Sequence, residues 1–198
     1  MRKLGVFIAI GLIFAAFPGE ISNQLLVHRT VHGFVFTLLN YIWFLAIAYY
    51  IRAALERRLK SKLRARLIYF LLYGYIGLSI EWFVLHNYAF QVNPVQLMMF
   101  TFWAGMALTP CIMIDQPATR DLKAIQRGIA RYILIWSAIS LMPFVIAAIF
   151  FPAHVQPTRN FSILVFGVGA LGLNYHFYRY FKLVSLQDVP AEPAAAVP

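Results

Sequence analysis

The chain has 198 residues, of which 62% belong to the AVILMFWYC set and only 12% are charged, with a mean hydropathy of +0.72. Soluble domains average about 45–50% apolar and about 25% charged residues, so this balance excludes a disordered chain, a coiled coil and an ordinary soluble enzyme. The formal charge is +10, from 17 Lys+Arg against 7 Asp+Glu, but the cations sit between apolar runs, which fits the loop charges that orient a membrane protein and not a nucleic-acid surface.

The class expected is therefore all-α: a polytopic integral membrane bundle of about six transmembrane helices, with both termini cytoplasmic. The first apolar run covers residues 4–17. As a helix it spans about 21 Å, short against a hydrocarbon core of about 30 Å. Arg2 and Lys3 precede it and Pro18-Gly19-Glu20 follow, which is also how a signal peptide reads. Ala15-Ala16-Phe17 is a poor cleavage site, so a retained signal-anchor helix is expected.

The second run is 31–51, with Ser22 or Asn23 as a candidate N-cap for an earlier start. The basic segment from Arg52 to Arg66 follows. Leu55, Leu59 and Leu63 recur there at four-residue spacing, predicting an amphipathic helix that docks on anionic lipid or an acidic partner, or merely sets topology. The third run is 67–85, broken only by Glu81. Glu81 lies about 21 Å along a helix rising from the cytoplasm, in the outer third. Gly74 and Gly77 share its face and mark a close helix contact, so Glu81 is expected to face the bundle interior.

The fourth run, 95–114, carries Thr101, Gly105 and Thr109 at small-residue spacing, with Pro110 and the lone Cys111 near its end. The single Cys excludes an internal disulfide. The fifth run is 132–151, with Pro143, and the sixth is 161–181, ending in an aromatic belt around His176. Residues 182–198 read as a flexible Pro/Ala-rich tail. With this topology 15 of the 17 cations are cytoplasmic and only Arg29 and Arg159 are outside, a strong positive-inside signal.

Chemistry-bearing residues gather on the outer side. His28 and His32, four apart, could hold a transition metal on one helical face. Glu81 and His86 could join them, although the Glu of H-E-x-x-H is missing and Arg29 intervenes. Interfacial histidines are the plainer explanation. His32, Asn40, Glu81, His86 and Gln96 together outline a candidate ligand pocket between the second, third and fourth spans. There is no phosphate-binding, nucleophile-elbow or CxxC motif.

The expected function is a non-enzymatic subunit or small-ligand-binding bundle with a polar pocket at Glu81, in contact with the bilayer and with other membrane subunits or copies of itself. The alternatives are a metal-dependent enzyme on a lipid-like substrate, with Glu81 catalytic, and a proton-coupled carrier. Short loops and a basic start suggest a bacterial inner membrane.

Overall fold

The computed structural model of the chain describes residues 2–15, 31–84, 94–116, 119–150 and 155–188. Among these residues every regular element is helical. The order is α1 (Arg2–Ala15), α2 (Val31–Arg58), α3 (Lys62–Ser79) running into a π-turn (Ile80–Val84), α4 (Pro94–Ile114), α5 (Arg120–Phe150) and α6 (Val155–Gln187).

Among the described residues, three stretches are long and apolar enough to cross a membrane: Leu38–Arg58, Lys62–Phe83 and Pro94–Ile114. A helix must satisfy its own backbone in lipid, and it does so with residues of any type. The helices therefore outrun the apolar runs that announce them. The second run ends at 51 but α2 continues to Arg58, through Ala, Leu, Glu and Arg, all good helix formers. Arg57 and Arg58 close its last turn, where cations suit the helix dipole. The fifth run begins at 132 but α5 begins at Arg120, after Thr119 Oγ1 accepts from the Leu122 amide as an N-cap. Pro94 opens α4 where its missing N–H costs nothing, and Pro110 sits inside that helix without ending it.

Two expectations are corrected here. Segment 52–66 is not one amphipathic helix: α2 stops at Arg58, residues 59–61 turn, and α3 starts at Lys62. Leu55 and Leu63 pack against the core. The tail also starts later than expected, because 182–187 are still helical and Val184 is buried; residues 189–198 lie outside the described residues.

The turn at 59–61 is held from a distance. Ser61 is the N-cap of α3, its hydroxyl accepting from the Arg64 amide at 3.1 Å and donating to Asp188 Oδ2 at 2.6 Å. Asp188, just past α6, also accepts from the amides of Lys62 and Leu63, at 3.2 and 2.7 Å. A carboxylate thus fills the N-terminus of α3 and pins the end of α6 to it. These bonds, the Ser61 hydroxyl first, hold the Asp188 carboxyl below its ordinary value of 3.8. A depressed pKa adds stability above the unfolded value, and that stability is lost as pH falls through the folded value. Ser61→Ala should cost about 0.5–2 kcal/mol in a thermal or denaturant titration. Asp188→Asn should flatten the loss of stability below about pH 4. An unchanged acid limb in that variant would place the pH dependence elsewhere.

At the centre runs α4, buried without a break from Thr101 to Ile112. A helix covered all round is a core helix. α1, α3 and α6 surround it; α2 covers α1 and α3, and α5 lies mainly along α6. Glycines set the closest approaches: Gly74 faces Phe100 and Gly77 faces Trp103 across the α3–α4 contact, as their spacing predicts. α1 belongs to this core. Phe7 and Phe14 are fully buried, and Gly11 lies against Leu45 of α2. Phe7 meets Tyr49 and Gly11 meets Leu45, so α1 and α2 run antiparallel.

Candidate functional site

Among the described residues, two charged centres lie within the bundle, at opposite ends of α3. Arg66 and Glu81 are fifteen residues apart, about 22 Å along a helix.

The first centre surrounds Asp115, the residue that follows α4. Its Oδ1 accepts from Arg52 and Arg66 Nη2, each at 3.0 Å. Its Oδ2 accepts from the Tyr180 hydroxyl at 3.0 Å and lies 3.3 Å from Lys62 Nζ. Arg66 Nη2 also meets Glu56 Oε1 at 2.7 Å, and Arg52 Nε meets the same oxygen at 3.1 Å. Gln126 of α5 closes the C-terminus of α4, donating to the Ile112 and Asp115 carbonyls at 2.8 Å each. Five helices are thereby tied at one end of the bundle.

Arg66 is 1% exposed, the largest fully buried side chain among the described residues. A charge in that position is tolerated only with opposite charge and hydrogen bonds close by. Here Asp115 and Glu56 supply the charge, while Nε and Nη1 have no hydrogen-bond acceptor among the described residues. The cluster is therefore costly to assemble and costly to disturb.

Sequence reasoning missed this centre. It read 52–66 as an amphipathic basic helix that docks on anionic lipid or an acidic partner, or sets topology, yet Arg52, Lys62 and Arg66 are engaged in ion pairs within the chain, while Arg57, Arg58, Lys60 and Arg64 stay more exposed. A signal was present: Arg66 is the last cation before one apolar run and Asp115 the first acid after another.

The second centre is Glu81. It is 4% exposed and stands in the π-turn that ends α3. Trp103 Nε1 of α4 donates to Glu81 Oε1 at 3.0 Å. Trp103 is fixed in turn by aromatic contacts, with Tyr41 at 5.8 Å, Phe44 at 5.0 Å and Phe102 at 6.0 Å between ring centroids. Gln96 is also buried and precedes Trp103 by seven residues, two turns along the same face of α4. Glu81 thus meets an indole donor that the sequence reading did not include. The clue was a Trp at apolar depth, whose N–H needs an acceptor when buried.

The remaining candidates divide. Asn40 is exposed on α2, and its neighbour Tyr41 is the residue that meets the Trp103 ring. His32 lies on the first turn of α2, and its side chain is outside the description. His28 and His86 lie outside the described residues, so the proposed His28–His32 metal pair does not enter the geometry. Among the described residues no group of three His, Cys, Asp or Glu is placed to hold a metal.

Smaller polar contacts tie α4 to α6. Asn174 Nδ2 donates to Thr101 Oγ1 at 3.3 Å, and Thr101 donates to the Leu97 carbonyl at 3.0 Å. Gly105, next on the Thr101 face, packs against Phe14 and Phe177.

Comparison with family models, with curated proteins and with solved structures finds no match, and the function must be argued from this geometry alone.

Proposed function

We propose that the chain is a multi-pass, non-enzymatic membrane bundle of six spans, with both ends cytoplasmic, that binds a small ligand or a polar group of a partner subunit at Glu81. One observation carries the membrane reading: the polarity of the molecule is inverted. Leu134, Trp43 and Phe83 are 71%, 70% and 68% exposed, while Arg66 and Glu81 are 1% and 4% exposed. Large apolar side chains outward and charges inward suit lipid as solvent. The ion cluster supports the topology, because it gathers 52–66, 115, 126 and 180–188 at one end, where positive-inside counting puts the cytoplasm. A bacterial inner membrane suits that reading.

Glu81 is the group this reading assigns to function. An ionisable residue at membrane depth is expensive and marks a ligand or ion site by default. π-turns inside helices also concentrate at such sites. Gln96, buried on the Trp103 face of α4, is its candidate helper, and His32, Asn40 and His86 remain candidates for the rim.

Native mass spectrometry from mild detergent tests the assignment. Wild type should carry a small-molecule or partner-chain adduct that Glu81→Leu loses and that Glu81→Gln weakens about tenfold or more, the size expected for losing one charge-assisted contact. Identical spectra for all three folded proteins would remove Glu81 from the site.

A further inference from the structure

We propose that the seam between α5 and α6 is a binding site for one anionic phospholipid of the cytoplasmic leaflet, its acyl chain in an apolar groove and its phosphate on Arg127, Arg131 and Arg179. The groove has a volume of about 330 Å³ and is lined by Tyr132, Ile135, Trp136, Ile139, Val168 and Gly169, with Val165 at its far edge. This lies within the range of about 300–1,000 Å³ typical of small-molecule sites.

The groove is preformed. Tyr132 donates to the Gly169 carbonyl at 3.0 Å and Trp136 donates to the Val165 carbonyl at 3.2 Å. Both polar tips are thereby turned into the α5–α6 contact, leaving ring faces and aliphatic groups for an occupant. Gly169 admits the Trp136 indole, since a Cβ there would overlap it. Ile135, Ile139 and Val168 are 60%, 52% and 56% exposed, so the groove opens to the outside of the bundle.

Charge selects the occupant. Gly128 lies against His176, which sets α5 and α6 in antiparallel register. Arg127 and Arg131 therefore stand level with the stretch from Leu173 to Phe177, with Arg179 just beyond it, on the cytoplasmic side of the groove. Arg131 is one turn from Ile135, about 6 Å, and Arg179 is on the face of α6 that carries Val168 and Gly172. All three arginines are exposed, and none forms an ion pair among the described residues. The Arg179 guanidinium rests over the Tyr175 ring at 5.9 Å.

The nearest described acid on α5 is Asp121, six residues before Arg127 and at the helix start. An apolar slot continued by three unpaired cations, at the depth where headgroups begin, matches a lipid with a negative headgroup. A transmembrane helix of a second copy would bring little matching charge to the same cations, because Asp121 is the one acid of the described spans and their cytoplasmic ends without a partner among the described residues, while the others are engaged: Glu81 by Trp103, Asp115 and Glu56 by Arg66, Asp188 by Ser61.

The test uses the full chain, delipidated in detergent and titrated with phosphatidylglycerol or phosphatidylcholine under native mass spectrometry. Wild type should take up one phosphatidylglycerol about tenfold more tightly than phosphatidylcholine, as a polybasic site prefers anionic lipid. The triple variant Arg127→Gln/Arg131→Gln/Arg179→Gln should lose the preference while keeping its melting temperature. Val168→Trp, at an exposed position, should weaken both lipids by filling the slot. Equal binding of the two lipids by wild type overturns the proposal. So does a preference that survives the triple variant, or lipid uptake that ignores Val168→Trp. If Val168→Trp instead abolishes a dimer and leaves lipid uptake intact, the groove is a self-association face and the lipid reading is wrong.

Discussion

Asp115→Ala should be the most destabilising single truncation of a polar side chain in this molecule. Asp115 is the shared acceptor of Arg52, Lys62, Arg66 and the Tyr180 hydroxyl. Arg52 and Lys62 keep 14% and 41% side-chain exposure and can turn to water. Arg66 cannot, at 1%. Stranding a buried charge in this way costs about 3–5 kcal/mol, and the lower figure is expected because Glu56 still meets Arg66.

The double variant Arg66→Met/Asp115→Leu should recover most of that loss, since the charge and its partner leave together. Melting curves of the detergent-solubilised protein, with a denaturant series for scale, measure both. An Asp115→Ala loss below about 1 kcal/mol would mean that Arg66 is hydrated and the cluster is not a structural lock.

The second large effect is expected at Gly77. A Cβ there would fall within the Trp103 Cβ and the base of its indole, the inner atoms of a side chain and not a movable tip. α3 and α4 must then separate, or Trp103 must leave its rotamer. Overpacking of this kind costs about 1–3 kcal/mol. It also draws the indole N–H away from Glu81, so Gly77→Ala should impair whatever Glu81 binds as well as stability. Gly5→Ala is the matched control, because nothing lies within 4 Å of the added carbon. Equal melting temperatures for the two variants would show that the α3–α4 contact is looser than described.

The parts of the fold that sequence could reveal are those written in local pattern. Apolar runs marked α2, α3 and α4 well, because a membrane helix is announced by composition alone. Their ends were misjudged, because hydropathy stops at the first charge while the backbone continues. Gly74 and Gly77 were legible, since two small residues on the face of a buried Glu imply a close neighbour. The Asp115 centre was not: Arg66 and Asp115 are 49 positions apart, and only the pairing of α3 with α4 makes them partners. The Leu spacing across 52–66 misled because Ser61 and Asp188 break the helix there through a contact 127 residues long.

The central claim is that this chain crosses a membrane several times with the Asp115 cluster inside and the Glu81 end toward the outside. Single cysteines at Lys3, Lys60, Asn87 and Gln187, in a Cys111→Ser background, test it with a membrane-impermeant maleimide on intact and permeabilised cells. Asn87→Cys should label in intact cells, the other three should label only after permeabilisation, and alkaline carbonate should leave the protein in the membrane pellet. Labelling of Lys60→Cys or Gln187→Cys in intact cells would invert the orientation, labelling of Lys3→Cys there would mean that α1 does not cross, and release by carbonate would contradict the account outright.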